Sequence, residues 1–253
     1  MNRQRRIPAF WGIVPVLVVL AVWEISARLK LIPGGLFFPA FSEVVMEIKE
    51  MIVGGVLLPH FLSSLGRVVA GFAAGSVTGI LLGVWMGWSE RVHRWCHPII
   101  SLLYPIPALG WLPVLMLWIG VNEMLPIAII FICSFFPVLY NTVTGIRQVP
   151  QDLIDASRML GASDFFILRR VVIHLALPNI FTGLRLDAGM AWKVVIAAEM
   201  VAIPTGIGAL MMRAESLMRV DIILVCLMVL SVMCLLFERF FGFFEEKATG
   251  RWR

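Results

Sequence analysis

Lys193 and Glu199 stand in the apolar second half of a run from Leu177 to Ala202. A charge at the centre of a bilayer costs about 2.5–3.5 kcal/mol even on mild insertion scales, so each must face protein or a water-filled cavity. Six residues apart, they lie on different faces of a helix and are not a local pair. Three readings follow for Lys193: it helps an anionic solute pass, it pairs with a neighbouring helix, or it sits nearer the interface than the span boundaries suggest. Arg67 sits near the outer end of another apolar run, where its long stem can snorkel the guanidinium to the interface.

Other chemistries find little support. There is no GxxxxGK[ST] loop, so the chain is not expected to bind ATP itself. His60, His93, His97 and His174 form no HExxH pattern. His93 and His97 share a helix face, but Arg91 and Arg94 flank them and Glu90 is the nearest carboxylate, which reads as a basic loop rather than a metal site. Cys96, Cys133, Cys226 and Cys234 have no metal-like spacing and read as buried thiols without disulfides. With no cluster of catalytic polar groups, the chain is expected to be no enzyme and to bind no cofactor or metal.

The elements that must position these residues are membrane helices. Of 253 residues, 60% are hydrophobic and 15% charged, and the mean hydropathy is +0.93; soluble domains carry about 25% charged residues. This is an all-α, polytopic membrane protein. A net charge of +5 then reflects basic loops, not nucleic-acid binding. A span needs about 20 mostly apolar residues, and six are expected in one transmembrane domain over 1–253: Pro8–Ala27, Phe61–Trp88, Pro98–Gly120, Met124–Ile146, Leu177–Ala202 and Asp221–Phe244. The first follows Arg3, Arg5 and Arg6 and is too long for a cleaved signal.

Between the first two spans, Phe41–Val53 is amphipathic, with Glu43, Glu47 and Glu50 on one face and Val44, Val45, Ile48, Met51 and Ile52 on the other. It lies either at the membrane surface or against protein. The second span carries Gly71, Gly75, Gly79 and Gly83, a GxxxG stripe for close helix packing within or between subunits. Pro105, Pro107 and Pro113 break the third span. Irregular backbone at membrane depth is tolerated where it is buried in protein or lines a cavity, so Pro105, Pro107 and Trp111 join Trp192, Lys193 and Glu199 as candidate pathway residues. An external turn with a short helix is expected over Ile203–Val220. With the N-terminus inside, fourteen Lys and Arg fall on the inner side and five outside, which supports both termini in the cytoplasm.

The longest stretch not made for lipid is Asp155–Pro178, DASRMLGASDFFILRRVVIHLALP. Pro150 suits a first helical residue, Gly161 a C-terminal stop and Ser163 a new cap. Two short helices are expected, the second over Asp164–Ile173, forming an elbow at 151–174 that either docks a soluble partner or is an ordinary solvated loop.

Asp155-Ala156-Ser157, then Gly161, then Leu177-Pro178 resembles the EAA loop of ABC-transporter permease subunits, with Asp155 for Glu, Ser157 for the second Ala, and His174 where the family often has an earlier Pro. YPIPALGWLPVLMLWIGVNE (Tyr104 to Glu123), LPNIFTGLRLDAGMAW (Leu177 to Trp192) and VVIAAEMVA (Val194 to Ala202) resemble the permeases of sulfonate, taurine, nitrate and thiamine-precursor importers. The likeness covers roughly residues 60 to 245. It implies a type I ABC importer permease in a bacterial or archaeal inner membrane, working as a homodimer with two ATPase subunits that hold ATP and Mg and with an extracytoplasmic binding protein. The solute implied is small and anionic or polar: a sulfonate, taurine, nitrate, bicarbonate or a pyrimidine precursor. It assigns ATPase coupling to Asp155, Ala156, Ser157, Met159, Leu160 and Gly161. The alternative is an ion-coupled secondary transporter. That class calls for intramembrane carboxylates and, often, repeated halves; Glu199 is the one clear carboxylate and no repeat is visible.

Overall fold

A computed structural model describes residues 9–30 and 37–249. The basic residues Arg3, Arg5, Arg6, Arg251 and Arg253 and the start of the first span at Pro8 lie outside the described residues. The described chain is helical, without strands. In order the helices are α1 (Ala9–Arg28), α2 (Phe41–Val53), α3 (Leu57–Trp88), α4 (Glu90–Leu103), a 3-10 turn (Ala108–Trp111), α5 (Leu112–Ile119) and α6 (Met124–Arg147). They continue with α7 (Gln151–Met159), α8 (Asp164–Ile167), a π-helical segment (Leu168–Val172), α9 (Ile173–Ala202), α10 (Ile207–Ser216) and α11 (Val220–Thr249).

Among the described residues, four helices are long and apolar enough to cross a membrane: Leu57–Trp88, Met124–Arg147, Asp164–Ala202 and Val220–Lys247. The pair α4 and the segment Ala108–Ile119 makes a fifth if counted as one span, bent by 84°. The expected first span is helical over Ala9–Arg28 and is not among these.

The heart of the fold is the packing of α3 on α6. A Cβ at Gly75 would lie 2.6 Å from the Phe131 carbonyl oxygen, and one at Gly83 would lie 2.7 Å from the Thr142 Cβ. The glycine stripe therefore packs within the protomer, with the two backbones in near contact. α9 lies on the other side of α6, where Gly183 leaves room for Asn141. Val68, Leu125, Ile129, Ile130, Trp192 and Val195 fill the resulting core.

Two local expectations change and two are sharpened. Pro150 caps α7 from outside (φ −58°, ψ 129°) instead of starting it. The second elbow helix is not separate: α8, the π-helical segment and α9 run on as one helical stretch from Asp164 to Ala202, with Pro178 inside it, so no span begins at Leu177. The π-helical turn accommodates one residue beyond the α-helical repeat and needs no break in the chain. Over Ile203–Val220 the short helix is present as α10, and Ile207, Leu210 and Ala214 pack it into the body. Of the two placements open for α2, the structure has the one on protein: Val44 and Met51 enter the core, and Glu47 pairs with Arg219 at 2.8 Å, whereas Val45 and Ile52 are exposed.

Candidate functional site

At one end of the bundle stands the elbow. α7 closes with Leu160 N–H donating to the Ala156 carbonyl at 3.1 Å and Gly161 N–H to the Arg158 carbonyl at 2.9 Å. Gly161 takes φ +81°, a conformation that costs a side-chain-bearing residue more than glycine. Ser163 Oγ then accepts from Phe166 N–H at 3.3 Å and caps α8. Arg158 spans the turn, 3.5 Å from Asp155 and 3.1 Å from Asp164, so one guanidinium links both helices. Ser157 Oγ donates to the Leu153 carbonyl at 2.7 Å. Ile154 and Ile167 fix the elbow on the bundle by burial with Ile146, Val149 and Val172. The outward side is apolar: Met159 and Leu160 are each 88% exposed, and Phe165 and Phe166 are exposed beside them.

At the opposite end of α3 and α9 lies a charge cluster that the sequence reading missed. Arg67 is 4% exposed and does not snorkel. Its Nη1 donates to Glu199 Oε1 at 2.5 Å, its Nε to Glu123 Oε2 at 2.7 Å and its Nη2 to Glu123 Oε1 at 2.9 Å. It also donates to the Thr205 carbonyl at 2.9 Å. Glu199, 1% exposed, accepts further bonds from Ser64 Oγ at 2.8 Å and Gly208 N–H at 3.0 Å. The cluster joins α3, α9, α10 and the residues before α6. No local spacing announces it, because Arg67 and Glu199 are far apart in sequence.

The remaining candidates divide by exposure. Pro105 and Pro107 lie exposed at the bend after α4, with Trp111 half-buried beyond it. Lys193 is exposed on α9, within electrostatic reach of Cys234 on α11, and has no ion pair among the described residues. Trp192 is 1% exposed, its ring 6.3 Å from Phe61 and 5.6 Å from Phe237. The structure thus brings Trp192 and Glu199 into the interior of the protomer and leaves Lys193 and the prolines on its surface. A second buried acid was also missed: Asp187 on α9, 1% exposed, accepts a weak bond from Cys133 Sγ at 3.7 Å. Among the described residues, no group of His, Cys, Asp and Glu could hold a metal ion, and the four cysteines are free.

Residues 75–250 match the family model of the binding-protein-dependent transport system inner membrane component. The chain belongs to that family. It is 38% identical to a putative ABC transporter permease of Methanocaldococcus jannaschii, the alignment covering 92% of this chain and 88% of the relative. It is 33% identical to the taurine transport system permease TauC of Escherichia coli (87% and 82% covered) and 34% identical to the nitrate import permease NrtB of Synechocystis (92% and 86%). An inward-facing structure of the MetNI methionine ABC transporter superposes with a TM-score of 0.59 at 16% identity, covering 75% of this chain and 96% of that one. The fold is that of a type I ABC importer permease, and the chain is the membrane-spanning permease component of such an importer.

Proposed function

We propose that the elbow docks on an ATPase subunit and that two copies of the chain enclose a path for a small anionic or polar solute. The observation that carries this reading is the exposed apolar tip, Met159 and Leu160, held on a turn anchored by Ile154 and Ile167. A lever must be rigid at its base and sticky at its end, and the elbow is both. The chain lacks a phosphate-binding loop, so ATP and Mg belong to the partner. The charge count puts the elbow and both termini in the cytoplasm of a bacterium or archaeon, facing two ATPase subunits, with an extracytoplasmic binding protein on the other side. Asp155, Ala156, Ser157 and Gly161 set the shape of the docking surface. Closure of the ATPases then moves α7 and α8, and α8 transmits the movement into α9 because the two are continuous.

Pro105, Pro107, Trp111 and Lys193 line the path, and Trp192 and Glu199 support its wall from inside the protomer. The named substrates of relatives, taurine and nitrate as well as aliphatic sulfonates and bicarbonate, support an anionic or zwitterionic solute. Purifying the tagged chain from its native membrane tests the reading. An ATPase is expected to co-purify, and replacing Gly161 with a bulky residue is expected to abolish substrate-stimulated ATP hydrolysis in reconstituted vesicles. A chain that purifies without an ATPase, or hydrolysis unchanged by the replacement, overturns it.

A further inference from the structure

We propose that a hydrogen-bonding track on α4 forms the half of the path nearest the elbow and favours small oxyanions; this rests on the permease reading above. His93, His97 and Ser101 share one face of α4, and Tyr104, the residue after its last turn, continues the line. They make a continuous line. The His93 and His97 rings are 4.8 Å apart, Ser101 Oγ is 3.3 Å from His97 Nδ1 and 3.3 Å from the Tyr140 hydroxyl, and the Tyr104 and Tyr140 rings are 4.6 Å apart. The flank of α4 that carries Trp95, Ile99 and Leu102 is apolar and exposed, as suits lipid. The polar line lies away from this flank and meets α6 at Tyr140.

Its two ends give it a direction. At the deep end Tyr104 borders a cavity of about 260 Å³ whose wall includes Pro107, Cys133, Phe136, Met190 and Val194. At the elbow end the only carboxylate on α4, Glu90, is 2.5 Å from Arg147 and 3.6 Å from Arg94. Arg91, Arg94 and Arg147 therefore leave this mouth net positive. A solute leaving an apolar cavity must regain the hydrogen bonds it lost there. Hydroxyls and imidazoles can donate to it in succession. Donors in series bind loosely at each step, and conduction requires several weak sites. A mouth of positive sign draws the anion onward.

The test uses the full chain in inside-out vesicles of its native membrane, with the four native cysteines replaced by serine. Single cysteines at His97, Ser101 and Tyr104 are compared with single cysteines at Ile99 and Leu102. The probes are an anionic methanethiosulfonate, the sulfonatoethyl reagent, and a cationic one, the trimethylammonioethyl reagent. Modification is expected at the three track positions and not at the two controls. After normalisation to a free thiol, the anionic reagent is expected to react about tenfold faster than the cationic one. Track positions that resist both reagents, or that react no faster with the anionic one, overturn the proposal. Failure of an ATPase to co-purify would instead overturn the underlying permease reading, and these rates do not depend on that result.

Discussion

Arg67 Nη1 meets Glu199 Oε1 at 2.5 Å and joins α3 to α9 at the end of the bundle remote from the elbow. Both side chains are almost wholly enclosed, 4% and 0% exposed. Breaking a buried pair leaves an uncompensated charge at a cost of about 3–5 kcal/mol, while replacing both partners by neutral groups is much cheaper. Arg67→Met is therefore expected to lower the thermal midpoint strongly, and Arg67→Met with Glu199→Gln to recover a large part of the loss. Glu123 is 65% exposed, so Glu123→Gln should cost at most about 1 kcal/mol. Unfolding of the purified protein in detergent, followed by tryptophan fluorescence, measures all of these. Additive losses in the double variant would refute the coupling.

Gly75 separates α3 from α6 by no more than a hydrogen atom. A Cβ there would meet the Phe131 carbonyl oxygen at 2.6 Å and Ser134 Cβ at 2.9 Å. Backbone cannot rotate away as a side chain can, so Gly75→Leu must push the helices apart. The expected destabilisation is at least about 1–3 kcal/mol, the usual range for overpacking. Gly66→Leu is the control, because nothing lies within 4 Å of a Cβ at that position. Equal thermal midpoints for the two variants would show that the stripe is not the α3–α6 contact.

These two sites also show what a sequence can and cannot reveal. The glycine stripe was legible because small residues at a four-residue interval mark a close approach, but the pattern does not say which helix approaches; α6 became the partner only in three dimensions. The elbow was legible because Gly161 and Ser163 are local signals, and both do what local chemistry requires. The continuity of α8 with α9 was not, because Pro178 reads locally as a boundary and the π-helical turn that precedes it has no sequence signature. The cluster of Arg67, Glu123 and Glu199 stayed hidden for a related reason. Its members come from three separate segments, and each alone looks like an isolated charge near the end of a span.

Met159 and Leu160 expose 88% of their surface and bury almost nothing in the bundle. Replacing both with serine should leave the thermal midpoint unchanged, since surface substitutions usually change stability by less than about 0.5 kcal/mol. The same change should weaken ATPase capture by more than about tenfold if these side chains are anchors in a partner's groove. Pull-down of the ATPase by the tagged permease, quantified against the unaltered chain, reads the effect. Undiminished capture would move the docking contact to another face.

Asp187 raises a different question, because its carboxylate lies inside the protomer with little to hold it. Oδ1 accepts from Cys133 Sγ at 3.7 Å, a long bond from a weak donor, and the Ser134 hydroxyl is the other side chain that hydrogen-bonds the carboxylate. No ion pair to Asp187 exists among the described residues. Asparagine has nearly the same shape and removes the cost of enclosing a charge, so Asp187→Asn should be neutral or stabilising by the measure used for Arg67. Cys133→Ser should help in the same direction, because a hydroxyl donates more strongly than a thiol. A marked loss of stability in Asp187→Asn would refute this and mean that the bonds from Ser134 and Cys133 outweigh the cost of enclosing the carboxylate.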